Sequence, residues 1–247
     1  MTRTGRTVLF LLGAAGVGLL LWLGFAGLPA FGHGHHPYRD LAVREAFSHA
    51  TANVVASVNF DQRALDTFGE ETILVASVTG VMALLRPAAE EREYHESGRR
   101  AALDATRFVG YLLLPVTLAV GLDVVVHGHL TLGGGFQGGV VLATGLHLLY
   151  ITGSFRALDR LRPVNVFDVG EALGAAAFAG IGIAGLITGG AFLCNALPTG
   201  TRGQLLSAGT VPLLNAAVGV AVACGMTVLL AQFLAQEITV APRRERS

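Results

Sequence analysis

Apolar residues gather in six runs of about twenty, near residues 8–28, 68–86, 107–127, 134–153, 170–190 and 210–234. About twenty apolar residues in helical form cross the hydrocarbon core of a bilayer. The pattern therefore predicts an all-α, polytopic membrane protein with about six transmembrane helices. Between the third and fourth runs lies His127-Gly-His-Leu-Thr-Leu-Gly-Gly-Gly-Phe-Gln-Gly-Gly139. Five glycines in seven residues oppose a regular helix, each costing roughly 0.8–1 kcal/mol relative to alanine. At membrane depth such a segment means close helix approach, a broken helix or backbone facing a polar path. A phosphate loop is excluded, because no strand precedes the segment and no lysine follows it. Gly133, Gly134, Gly135, Gly138 and Gly139 are expected to seat a neighbouring helix.

The flanks of the runs test their number. Arginines 3, 6, 86, 92, 99, 100, 107, 156, 160, 162, 243, 244 and 246 fall on one side of the membrane if six spans alternate, and Arg39, Arg44, Arg63 and Arg202 fall on the other. Arginine excess marks the cytoplasmic face, so both termini are expected in the cytoplasm, with the protein in the cell (inner) membrane. The N-terminal run near 8–28 exceeds the apolar length of a signal peptide and is read as an uncleaved span.

Composition agrees with this picture. Only 14% of the 247 residues are charged, against about 25% in soluble domains, and the mean hydropathy is +0.59. A formal net charge of zero leaves no nucleic-acid footprint. All 17 basic residues are arginine, so the membrane-buried lysine often used by respiratory-type proton pumps and antiporters is absent. Cys194 and Cys224 suggest neither a disulfide nor a thiolate metal site. No cofactor and no catalytic residue are expected.

The loop from Pro29 to Thr67 is too long for a plain hairpin. Leu41–Phe47 can form an interfacial helical turn or two, and Asn53–Phe60 is apolar but too short to span, so it should dip into the protein surface. His33, His35 and His36 are imidazoles of the kind that bind transition metals. No second ligand set accompanies them, and no metal site is assigned. The charged stretch from Pro87 to Thr106 is the one break in composition, and divides the chain into modules at 1–100 and 101–247.

Candidate chemistry is sparse. Asp61, Asp66, Glu70 and Glu71 crowd the start of the second run around Arg63. Asp66-Thr67 followed by Glu70 suits a helix N-cap with acids in its first turn. An acid-lined entry for cations or protons is the functional alternative, and it is the reading that Asp61 favours. Asp123 lies about a turn from the outer end of the third run and can pair with His127, four residues on. His147 falls mid-span in the fourth run, where an interhelical hydrogen bond and a proton-carrying role both remain open. Glu171, near the start of the fifth, is either a helix-start acid or part of an ion path.

The glycine segment together with His127-Gly-His129 resembles the signature of the B subunit, the MnhB family, of Mrp-type multisubunit Na⁺/H⁺ antiporters. Gly170-Glu171-Ala-Leu-Gly174 and Ser207-Ala-Gly-Thr-Val-Pro-Leu-Leu-Asn215 extend that resemblance over roughly residues 105–238. The family usually has proline before the triple glycine, where this chain has Leu132. Asn53-Val-Val, Asp61 and Asp66-Thr-Phe-Gly-Glu70 resemble the MbhE-like, C-terminal part of the antiporter A subunit, over roughly residues 1–86. The resemblance implies a membrane subunit rather than an enzyme, working with other membrane subunits on Na⁺ and H⁺ as transported ions. Related modules occur in complex-I-like assemblies, including membrane-bound hydrogenases, and a proton-coupled solute or inorganic-carbon uptake complex is a further alternative. Asp66, Glu70, His129 and Glu171 carry over as family positions. With Asp61, Asp123, His127 and His147 they form the set of candidate ion- or proton-path residues.

Overall fold

The computed structural model describes residues 3–28, 36–85, 103–152 and 164–235. His33, His35 and most of the charged linker lie outside these residues. Met1–Asp40 and Leu41–Ser247 form two compact units. Helices make up both, with no strand among the described residues.

Helix α1, Arg3–Ala26, belongs to the first unit. Its 24 residues rise about 36 Å, enough to cross a bilayer. Helix α2, Pro37–Ser48, follows and buries Ala42 and Ala46. The second unit continues with α3, Val54–Ser57, and a π-helical turn at Val58–Gln62. Then come α4, Ala64–Leu84; α5, Asp104–Val126; α6, Gly135–Ile151; α7, Val164–Gly189; and α8, Val211–Ala235.

Five helices, α1, α4, α5, α7 and α8, are long and apolar enough to span a membrane. The fourth apolar run is shorter than its sequence suggests. Helix α6 has 17 residues, a rise of about 25 Å, and begins only at Gly135. Gly133 and Gly134 cannot join it, because their φ angles of +133° and +151° are open to glycine and closed to helix. The helix at Ala64–Leu84 starts earlier than its apolar run. Its first turn contains Asp66, while Arg63 occupies the N-cap without a capping side-chain bond. Asp66 therefore sits one turn inside the helix rather than capping it.

Helix α8 is the hub. Half of its apolar window is buried, against 17% for α4 and α5 and 22% for α7, and it packs against α4, α5, α6, α7 and the π turn. In lipid the hydrophobic effect does little to join helices, and close van der Waals packing through small residues takes over. Gly135 and Gly139 of α6 face α8. A Cβ on Gly135 would strike the Asn215 carbonyl oxygen, and one on Gly139 would lie 2.8 Å from Val222 Cβ. Gly174 brings α7 equally near, 2.7 Å from Ala217 O by the same measure. Gly138 turns to α5, where its Cβ would meet Gly121 O at 2.8 Å. Pro115 interrupts the hydrogen-bond ladder of α5.

An aromatic cluster ties the π turn and α4 to α7. Phe178 is fully buried, with its ring centroid 6.4 Å from Phe60 and 6.0 Å from Phe68. Phe192 meets Phe68 edge-on at 5.4 Å.

Gly135→Ala is expected to separate α6 from α8 and to lower the yield of folded protein in detergent. Gly180→Ala meets nothing within 4 Å and should match wild type or gain up to about 1 kcal/mol of helix propensity. Thermal melting of the two variants side by side checks this.

Candidate functional site

The glycine segment is held by two asparagines from distant parts of the chain. Asn53 precedes α3, and its Oδ1 accepts from the N–H groups of Val55 and Ala56, capping that short helix. Its Nδ2 donates to the carbonyls of Gly128 and Thr131, each at 2.7 Å. Its own N–H donates to the His129 carbonyl at 3.0 Å. The short apolar segment thus docks on the glycine loop through backbone and side chain together. From the other side, Asn215 of α8 accepts the Gly135 N–H through Oδ1 at 2.8 Å, and its Nδ2 donates to Val211 O. Gly135 begins α6, so its N–H lacks an intrahelical acceptor, and α8 supplies one. Any side chain at Gly128 or Gly134 would strike Asn215 Oδ1, at 2.9 and 3.0 Å.

His129 is fully buried in this loop. Its Nε2 lies 3.1 Å from Leu205 O. A carbonyl only accepts, so Nε2 carries the hydrogen and Nδ1, which has no partner, is the bare nitrogen of a neutral ring. Burial pushes its pKa below the ordinary value of 6.5, and neighbouring His127 pushes it the same way. The loop holding Leu205 is shaped by Asn195. The Asn195 amide accepts from Thr210 N at 2.9 Å and donates to Ala208 O, and Gly209, at φ +61°, leaves room for it.

The remaining candidates separate into exposed and buried groups. Asp123 Oδ1 meets His127 Nδ1 at 2.9 Å, with Asp123 largely exposed and His127 half-buried. Asp66 pairs with Arg63, also exposed. Asp61 is buried to 7% exposure and lies 2.5 Å from His49 Nδ1, while His49 Nε2 points to Glu45 at 3.5 Å. His49 was not among the candidates, because no short-range spacing links it to Asp61.

Glu70 is exposed, and Glu71 beside it turns inward with 2% exposure. The inward face of α4 is Ala64, Thr67, Glu71 and Val78, a spacing of three, four and seven residues that follows one helical stripe. Thr67 fixes that phase by donating to Asn59 O at 2.6 Å. Glu71 was legible from this stripe once Thr67, rather than Glu70, is taken as its anchor. Glu171 of α7 is also buried, at 6% exposure. Neither Glu71 oxygen has a hydrogen-bond partner, nor has Glu171 Oε1. Gly225 of α8 makes room for Glu171, since a Cβ there would lie 3.0 Å from Oε1 and 3.3 Å from Val78 Cγ2. His147 of α6 reaches toward the Met226 backbone on the adjoining part of α8, and its Nε2 lacks a partner. The structure therefore turns Glu71 and Glu171 to the interior, leaves Asp66, Glu70 and Asp123 exposed, and leaves His127 half-buried. Among the described residues no three His, Cys, Asp or Glu side chains converge as a metal site.

Asn53→Asp keeps the helix cap but sets an acceptor against two carbonyls, leaving each without a donor at about 1–3 kcal/mol. A lowered melting temperature is expected despite the near-identical shape. His129, with its folded pKa lowered, stabilises the fold fully above its ordinary value of 6.5, and this contribution falls as pH drops below that value because the unfolded chain binds the proton more readily. Melting temperature against pH should fall on acidification in wild type and fall less in His129→Gln.

Residues 105–228 match the family described as a domain related to the MnhB subunit of Na⁺/H⁺ antiporter. A relative from Methanocaldococcus jannaschii, uncharacterized protein MJ1307, is 32% identical over 198 residues, covering 71% of this chain and 74% of its own length. Among solved structures, a chain of the membrane-bound sulfane sulfur reductase, an archaeal respiratory membrane complex, is similar with a TM-score of 0.73 and 26% identity, covering 93% of this chain and 98% of that one. A chain of the Mrp complex from Dietzia sp. DQ12-45-1b shares the fold at a TM-score of 0.67 and 22% identity, over 98% of this chain and 27% of that longer one. The chain is a multi-pass membrane protein and belongs to the MnhB family.

Proposed function

We propose that the chain is a membrane subunit of an Mrp-type cation/proton antiporter complex in the cell (inner) membrane, with both termini cytoplasmic, and that it supports exchange of Na⁺ for H⁺ only when assembled. Its N-terminal module, residues 1–100, corresponds in this reading to the MbhE-like part of the antiporter A subunit, and 101–247 to the B subunit. Catalysis of a covalent step plays no part. The observation that carries the reading is Glu171, a carboxylate buried in the bundle interior with Oε1 unpartnered. An acid in that position is costly and marks ion or proton paths. His147 would continue the path inside, while His129, Asp61, Asp66, Glu70 and the Asp123–His127 pair would serve its outer mouth.

A second reading places the same chain in a redox-driven complex. The likeness to the sulfane sulfur reductase chain, which spans nearly the whole of both chains, favours it. Chains that co-purify in mild detergent distinguish the two: iron–sulfur and redox subunits support the second, and membrane subunits alone support the first.

Glu171→Gln is expected to reduce Na⁺-dependent pH change in inverted vesicles to background while the complex still purifies intact. Normal exchange by an intact complex would rule out the role given to Glu171.

A further inference from the structure

Glu71 of α4 and Glu171 of α7 both face the interior of the bundle where α4, α7 and α8 pack, each more than nine-tenths buried. Three of their four carboxylate oxygens, Glu71 Oε1 and Oε2 and Glu171 Oε1, have no hydrogen-bond partner. They lie within electrostatic range of one another, and Glu70 adds a further negative charge. No positive charge from these helices opposes them. The sequences of α4, α7 and α8 contain no arginine, lysine or histidine, and the chain has no lysine. Among the described residues, the other ionisable groups at the junction are Asp168 on α7 and Cys224 on α8, neither of which supplies a cation. His147 approaches α8 from α6, at Met226.

Two anionic carboxylates with three oxygens lacking donors, and no counter-charge on their own helices or on α8, would carry a heavy desolvation penalty in such an interior. A hard-cation cage is not built either, since such ions take six or more oxygen ligands and, among the described residues, no three His, Cys, Asp or Glu side chains converge as a metal site. A proton meets the requirement with the fewest groups. It removes one charge and converts one orphan oxygen into a donor.

The geometry points to Glu71 and Glu171 as a two-station site that holds one proton inside the membrane, on α4 or on α7. With one proton held at either carboxylate, the pair keeps a single negative charge. Gly225 is the positioning residue on α8, because any side chain there would press on Glu171 Oε1. The inference rests on reading the chain as an ion-transport subunit and adds Glu71, which lies beside the family-matching Glu70, as the second station.

Infrared difference spectroscopy of the intact purified complex tests it. Wild type at neutral pH should show the C=O stretch of a buried carboxylic acid. That band should disappear or shift in both Glu71→Gln and Glu171→Gln and persist in Glu70→Gln. Should Glu71→Gln fail to assemble, Glu71→Asp keeps the acid and should move the band rather than remove it. A band untouched by substitution at either residue overturns the site. A band that vanishes on adding Na⁺ at constant pH overturns the proton assignment in favour of cation occupancy. Exchange measured on the same preparations separates this from the transport reading. If the band is lost in the variants while exchange survives, the proton site stands and its transport role fails. If exchange is lost while the band is unchanged, the site fails and the transport reading stands.

Discussion

Asn53 and Asn215 grip the glycine segment from opposite sides, and the arrangement of the second unit depends on that grip. The segment from Gly128 to Gly135 must leave helical geometry, so its carbonyls and N–H groups lose their regular partners. In a membrane setting such groups need replacements from the protein itself. Asn53 serves the carbonyls of Gly128 and Thr131, and Asn215 serves the Gly135 N–H. Each asparagine does this with one polar group while its other anchors its own element, Asn53 to α3 and Asn215 to α8. A pair of bonds at each residue thereby fixes the start of α6 relative to both α3 and α8.

Once α6 starts at Gly135, the glycines beyond it acquire distinct roles. Positions four apart share a face, so Gly135 and Gly139 meet α8 while Gly138 meets α5. Helix α8 then serves as a common wall, and α7 approaches it through Gly174 as closely as α6 does. This density around α8 is why its own small positions matter. Gly225 gives Glu171 its place, and without that gap the carboxylate would have to turn elsewhere.

The acids show two environments on one chain. Some are exposed or paired, as with Asp66–Arg63 and Asp123–His127. Those at the α4–α7–α8 junction are buried and unpaired. Exposed pairs are screened and contribute little to stability, whereas unpaired interior acids are expensive and persist where they are used. The interior pair is the one on which the proposed proton site rests.

Much of this was readable along the chain. The apolar runs determined the helical membrane architecture, because span length is set by bilayer thickness and needs no tertiary information. The glycine-rich segment announced close approach, and its motifs resembled the family that the comparison then showed. Spacing of four residues announced the contact between Asp123 and His127. Contacts across long separations were decided only by the tertiary structure. Asn53 with Gly128, Asn215 with Gly135 and His49 with Asp61 leave no periodic trace, because each pairs residues whose meeting depends on helix packing. The choice between Glu70 and Glu71 lies on the boundary. Adjacent residues on a helix point about 100° apart, so sequence placed an acid at that level of the membrane, while the bond from Thr67 to Asn59 set the rotation of α4 and with it which glutamate faces the interior.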